Sequence, residues 1–240
     1  MQIEGKNPIK EALESSKAIS KLFVSKTAKD LQPIVDKAKS KKIRINFCDR
    51  HELDKMSQTG RHQGLIAVCE DFQYASVEDI KALAKANNQP LFVIILDGIE
   101  DPHNLGSIMR VAECCGAHGI IIPARRSVDV NSTVLRVSAG AGSHILTAKV
   151  GNINDTIREL KQDFVNVYCA DMDGEVIYDS HLNNDLALVI GGEGNGVKDL
   201  TRKLCDKAIS IPQYGKVNSL NASVACGICC YEVARQRNKI

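Results

Sequence analysis

No stretch of this chain approaches the roughly 18 consecutive apolar residues that a bilayer-spanning helix needs, although 44% of its 240 residues are hydrophobic. The opening residues, MQIEGKNPIK, hold no apolar core of the kind a secretory signal requires. These two absences predict a soluble, cytoplasmic protein. A disulfide framework is also missing: the nine cysteines are odd in number and their spacings suggest no pairing. Cys226, Cys229 and Cys230 lie close together, but no histidine is near them in sequence, and a zinc site usually shows a second ligand pair at loop spacing. We therefore expect no metal, and read the three thiols as small apolar packing residues of a helix in a reducing cytosol. Tryptophan is absent, which excludes little by itself. Net charge is small, at +2, but unevenly spread. Residues 1–70 carry 14 Lys and Arg against 9 Asp and Glu, and the remainder carries 17 against 20. A basic first part joined to a mildly acidic remainder suits a polyanionic partner for the first part. A plain solvated surface accounts for the same charges.

What is present is an alternation of strand and helix patterns, which predicts an α/β fold in two domains. Residues 1–71 form a small Lys-rich α/β region: a helix over IKEALESS, a strand at KLFVS, a helix over LQPIVDKAKSKK, and strands at IRINFC and LIAVCE. Residues 72–89 read as a linker, with a short helix started by Ser76. From residue 90 to 240 the α/β pattern is stronger. LFVIIL is a continuous apolar run, as in a strand buried on both faces of a parallel sheet. A helix is predicted from about Leu105 to Cys115, then a strand at HGIIIP, a helix over VNSTVLRVSAG, strands at HILTA, VNVYCA and LALVIG, a helix at KDLTRKLC and a strand at AISIP. The last helix is expected from about Ser219 to Arg237, with Leu220, Val224, Ile228 and Tyr231 as one buried stripe.

Three polar clusters follow predicted strands, and in open α/β sheets ligands bind outside the carboxyl ends of the strands. The first, DGIEDPHNLGSIMR, sets Asn104 near the start of a helix and Arg110 in its second turn. That combination suits an anion, or Asn104 simply caps the helix. The second, IGGEGNGV, carries Glu193 among four glycines that let backbone approach a ligand, or else form a plain turn. It is neither a dinucleotide fingerprint, whose third glycine would fall on Val197, nor a P-loop. The third, ISIPQYGKVNSLNAS, crowds Asn218, Ser219 and Asn221 at the start of the last helix, where a cap needs only one such residue.

In this order the three segments resemble the signature motifs of the SpoU family, also called TrmH-type RNA methyltransferases. The matching residues are Asn104 and Arg110, then Gly191 to Gly196 around Glu193, then Ile211-Pro212 with Ser219-Leu220-Asn221. The likeness covers roughly residues 90–237, without departure at the polar positions. IEGKNPIKEAL and RHQG resemble the N-terminal RNA-binding domain of the RlmB-like branch, which is similar to a small ribosomal-protein fold.

The resemblance implies a SPOUT-type catalytic domain with a trefoil knot, a rare exception to the rule against knots. It implies a homodimer paired through that domain, where Cys226, Cys229 and Cys230 could pack at the interface. It implies S-adenosylmethionine bound through Gly191, Gly192, Gly196, Ile211 and Leu220. The reaction implied is methyl transfer to a ribose 2′-hydroxyl in RNA, most naturally a guanosine of 23S ribosomal RNA. Arg110 would stabilise the developing oxyanion or contact phosphate, and Asn104, Glu193, Ser219 and Asn221 would position it and the ribose. A transfer-RNA ribose methyltransferase and a non-catalytic RNA-binding protein of the same fold are the alternatives. A nucleotide-dependent oxidoreductase is opposed by the failed fingerprint.

Overall fold

The computed structural model describes residues 2–14, 19–28, 30–69, 72–194, 196–216 and 219–238, so Asn218 lies outside the described residues. The chain forms two compact units, residues 1–72 and 73–240. Among the described residues no helix is long and apolar enough to cross a membrane.

The first unit runs β1 (Gln2–Glu4), α1 (Lys6–Glu14), β2 (Ile19–Ser25), α2 (Gln32–Ser40), β3 (Arg44–Cys48), α3 (Arg50–Met56) and β4 (Leu65–Cys69). Its sheet has the order β1-β4-β2-β3, with only the β2–β3 pair parallel. Pro33 in the first turn of α2 costs no hydrogen bond, and Asp49 with Glu52 forms a capping box on α3. Ile9, Leu13, Ile34 and Val35 of α1 and α2 bury one face of the sheet with Leu22 and Leu65. Leu53 of α3 covers Ile66 on a separate, smaller cluster.

The second unit begins with α4 (Val77–Ala86), where Ser76 caps the helix and exchanges hydrogen bonds with Asp79. Ile80 and Ala84 of α4 lie in the core of this unit, so most of the stretch read as a linker is part of it. There follow β5 (Phe92–Asp97), α5 (Pro102–Cys114), β6 (Gly119–Pro123), α6 (Ser132–Val137), β7 (Leu146–Val150), α7 (Ile153–Gln162), β8 (Asn166–Val176), β9 (Leu186–Gly191), α8 (Asp199–Leu204), β10 (Lys207–Ser210) and α9 (Ala222–Asn238). All six strands are parallel, in the order β10-β8-β9-β5-β6-β7. Every residue of β5 is buried, as its unbroken apolar run requires of a strand covered on both faces. Val93 and Ile95 join α4 and α7 on one side, and α9 packs across β8 and β9. The chain steps outward from β5 to β6 and β7, then returns to lay β8 and β9 on the other side. The β5–β9 seam is therefore the switch point, where a parallel sheet opens a crevice at its carboxyl ends.

Two helices have no counterpart in the sequence reading. α3 is short, and α7 is mostly polar, with only Ile153, Thr156, Ile157 and Leu160 buried. A larger correction concerns α9. The expected buried stripe is turned outward: Leu220, Val224 and Tyr231 are exposed, and Ile228 is only half-buried. The inner face carries Ala222, Cys226, Cys229, Cys230 and Val233. The three thiols thus pack inside the protomer, against α5 and the sheet, and do not form the dimer interface suggested above. Small side chains let α9 lie close to its neighbours, so the bulkier apolar residues are left on the other face.

Candidate active site

Backbone hydrogen bonds close the base of the loop after β9. Gly192 donates to the Asp97 carbonyl at 2.9 Å, and Gly196 donates to the Gly192 carbonyl at 3.1 Å. There is no room for side chains at its base. A Cβ on Gly191 would sit 2.0 Å from the Gly196 carbonyl carbon, and one on Gly192 would sit 2.2 Å from the Gly98 oxygen. The far end of the loop is tied by Asp97, buried at the end of β5, which accepts from the Lys198 backbone N–H at 3.0 Å and from its ammonium. The Asp97–Lys198 tie is absent from the predicted site set. The only sequence signal for it was an acid at the end of an apolar strand.

Asn104 does not cap its helix. Asp101 does, accepting from the His103 N–H at 3.0 Å. Asn104 is buried and donates its amide to Glu193 Oε1. Asn221 donates to Asn104 Oδ1 at 3.0 Å and to Glu193 Oε1 at 3.2 Å. Its own Oδ1 accepts from Ser223 N at 2.9 Å and Ser223 Oγ at 2.6 Å at the start of α9. One side chain from each of the three polar clusters thus meets in a single hydrogen-bonded group, across sequence separations of 89 and 28 residues. The second oxygen of Glu193 has no partner among the described residues.

Beside this group opens a cavity of about 640 Å³. Gly191, Gly192, Gly196, Ile211 and Leu220 all line it, as do Glu193, Ser219 and Asn221. Gln213 of the third cluster and Ala225 of α9 line it as well, and so do Asp171 and Met172, which were not anticipated because nothing in sequence marks the long end of β8 as part of a site. Arg110 stands apart. Six residues beyond Asn104, it is rotated by roughly 120° around α5, is exposed, and has no hydrogen-bond or ion-pair partner among the described residues. It does not line the cavity.

Residues 91–231 match the model of the SpoU rRNA Methylase family. The chain belongs to that family. Residues 2–75 match a second model, RNA 2′-O ribose methyltransferase substrate binding. Among curated relatives, YacO of Bacillus subtilis, named as a TrmH family tRNA/rRNA methyltransferase, is 44% identical, covering 98% of this chain and 96% of the relative. The 23S rRNA (guanosine-2′-O-)-methyltransferase RlmB of Escherichia coli is 37% identical, covering 98% of each. The crystal structure of the SpoU methyltransferase AviRb from Streptomyces viridochromogenes, solved with the cofactor AdoMet, aligns at a TM-score of 0.72. It is 22% identical and covers 100% of this chain and 91% of AviRb, a likeness of fold. The family member described here is an S-adenosylmethionine-dependent RNA 2′-O-methyltransferase with an N-terminal substrate-binding domain. A trefoil knot is typical of its fold.

The cavity suits that cofactor. Ile190, Val197, Ile209, Ile211 and Leu220 supply apolar walls for a purine and a thioether-like chain, while the glycine loop presents backbone rather than side chains.

Proposed function

We propose that this chain methylates the ribose 2′-hydroxyl of a guanosine in 23S ribosomal RNA, acting in the cytoplasm. The reading is carried by one observation: the Asn104–Glu193–Asn221 group sits at the edge of the cavity formed by the second and third motifs. The guanosine target is supported by the RlmB relatives, which match along nearly their whole length. The test is methylation of an unmethylated 23S ribosomal RNA transcript with tritiated cofactor, followed by mapping of the modified nucleotide. Modification of transfer RNA instead, which the name of the Bacillus relative allows, would replace the target and keep the chemistry.

When bound, the cofactor supplies an electrophilic methyl group on a sulfonium. The residues of the chain must then hold the ribose in line and deal with its proton. In our reading Glu193 accepts a hydrogen bond from a ribose hydroxyl through its unpartnered oxygen, while Asn104 and Asn221 fix the carboxylate through the other. Asn221 is itself fixed because it caps α9, so the group is ordered before substrate arrives. Ser219, at the cavity wall, would contribute a hydroxyl to the same surface. Gly191, Gly192, Gly196, Ile211 and Leu220 would hold the cofactor. Arg110 would stabilise charge developing on the attacking oxygen or hold the adjoining phosphate. A guanidinium stays protonated, so it does not serve as base.

We also infer a homodimer. Val224 and Tyr231, two turns apart on α9, expose apolar side chains on one face, which a second copy would cover. Light scattering should give twice the chain mass for wild type, and Val224→Asp with Tyr231→Asp should shift it toward one chain. A monomeric wild type at micromolar concentration refutes the inference.

A further inference from the structure

The eight arginines of the second unit divide into two sets. Arg158 pairs with Asp155, Arg202 with Asp171 and Arg235 with Glu232, while Arg237 binds backbone carbonyls. Arg110, Arg125, Arg126 and Arg136 are exposed and have no such partner among the described residues. This unit is not basic overall, since residues 73–240 carry 17 Lys and Arg against 19 Asp and Glu. These four arginines are thus left unpaired, among the described residues, on a unit with no overall basic excess.

Arg125 and Arg126 are adjacent, in the loop between β6 and α6. That loop is held at several points. Ala124 donates to the Val150 carbonyl at 2.8 Å, Val128 to the Ile99 carbonyl at 2.9 Å, and Val130 to the Tyr74 hydroxyl at 3.0 Å. Ser127 Oγ also donates to Ile99, at 3.2 Å. Its own acid, Asp129, is taken by Lys149. Arg126 has a φ of 57°, a left-handed backbone that disfavours residues other than glycine and persists only where the surroundings fix it. Ile99 belongs to the loop leading from β5 into α5, five residues before Asn104. The loop that carries the two arginines therefore lies at the carboxyl edge of the sheet, one strand over from β5, on the side away from the cavity.

We propose that Arg125 and Arg126 hold phosphates of the RNA strand flanking the target nucleotide, which runs along this sheet edge into the site. Two planar forks carried on a held backbone match phosphate oxygens, and the loop's own acid, Asp129, is already paired with Lys149. The proposal rests on the reading of the chain as an RNA ribose methyltransferase.

The test uses the full chain with Arg125→Ala and Arg126→Asn combined; asparagine tolerates the left-handed backbone. Methyl transfer is measured at varied concentrations of unmethylated 23S ribosomal RNA transcript, RNA affinity by filter binding across salt, and cofactor affinity by calorimetry. KM for RNA should rise on the order of tenfold, and the slope of log affinity against log salt should fall by roughly 1.5, the value for two lost phosphate contacts. The change in kcat should stay within about twofold and cofactor affinity should hold, because the loop lies outside the cavity. A second variant, Arg125→Lys with Arg126→Lys, should recover most of the salt slope. A wild-type KM and salt slope in the charge-removing variant overturns the proposal alone, as does a raised KM with an unchanged slope. A wild-type protein that neither binds nor methylates the transcript overturns the functional reading, and this proposal with it.

Discussion

Replacing Gly191 with Ala should open the cofactor loop. The added Cβ would lie 2.0 Å from the Gly196 carbonyl carbon, 2.3 Å from Val197 N and 2.4 Å from the Gly196 oxygen. All three are backbone atoms, so no side chain can swing aside and residues 192–197 must move as a segment. Overpacking of this kind costs about 1–3 kcal/mol. If the loop closes against that cost when cofactor binds, affinity should weaken by roughly 5- to 150-fold, at about 1.4 kcal/mol per factor of ten. Turnover should fall further, because Glu193 rides on the displaced segment and leaves Asn104. Calorimetric titration with S-adenosylmethionine measures the first effect and tritiated methyl transfer the second. Gly151→Ala is the control, since its Cβ would meet nothing within 4 Å. Wild-type cofactor affinity in Gly191→Ala would refute the assignment of this loop to the cofactor.

Arg110→Ala should reduce methyl transfer on the order of a hundredfold with cofactor affinity nearly intact, because Arg110 lies outside the cavity; lost cofactor binding would make it a structural residue instead. Arg237→Met should destabilise the second unit. Its guanidinium donates to the Pro90, Leu91 and Asn184 carbonyls at 2.6, 2.9 and 2.6 Å, and burial holds its pKa down at about 10. Leaving those carbonyls unpaired should cost about 2–4 kcal/mol and lower the melting temperature by roughly 5–10 °C, and an unchanged melt would show them rehydrated. Glu4 gives a pH signature in the first unit. Burial acts to raise its pKa, but hydrogen bonds from Ser57, Thr59, Gln58 and Gln2 outweigh that and lower it from 4.5 to about 2. A depressed carboxylate stabilises above its unfolded pKa and loses the effect as pH falls through its folded one. Wild-type stability, followed by circular dichroism melts, should therefore decline from about pH 4.5 toward pH 2, and Glu4→Gln should flatten that decline. Parallel curves would remove Glu4 from the account.

Most of the elements, though not the short α3 or the polar α7, and the polar residue types of the site were legible in the sequence alone. LFVIIL reads as a doubly covered strand because burial on both faces demands an unbroken apolar run, and β5 is such a strand. The five residues expected to bind cofactor line one cavity because a glycine-rich loop and a strand end carry their backbone geometry locally. What the sequence could not determine was anything set by partners distant along the chain. Whether Asn104 caps a helix or reaches Glu193 depends on where β9 lies beside β5, and that pairing joins residues some 90 positions apart. The helical stripe on α9 was visible as a period, but period alone does not say which face turns inward. That was decided by the close approach of α9 to α5, which only the small Ala and Cys side chains permit. Arg125 and Arg126 carried no signal in sequence either; only tertiary structure sets them apart, because Arg158, Arg202, Arg235 and Arg237 have partners and these two have none among the described residues.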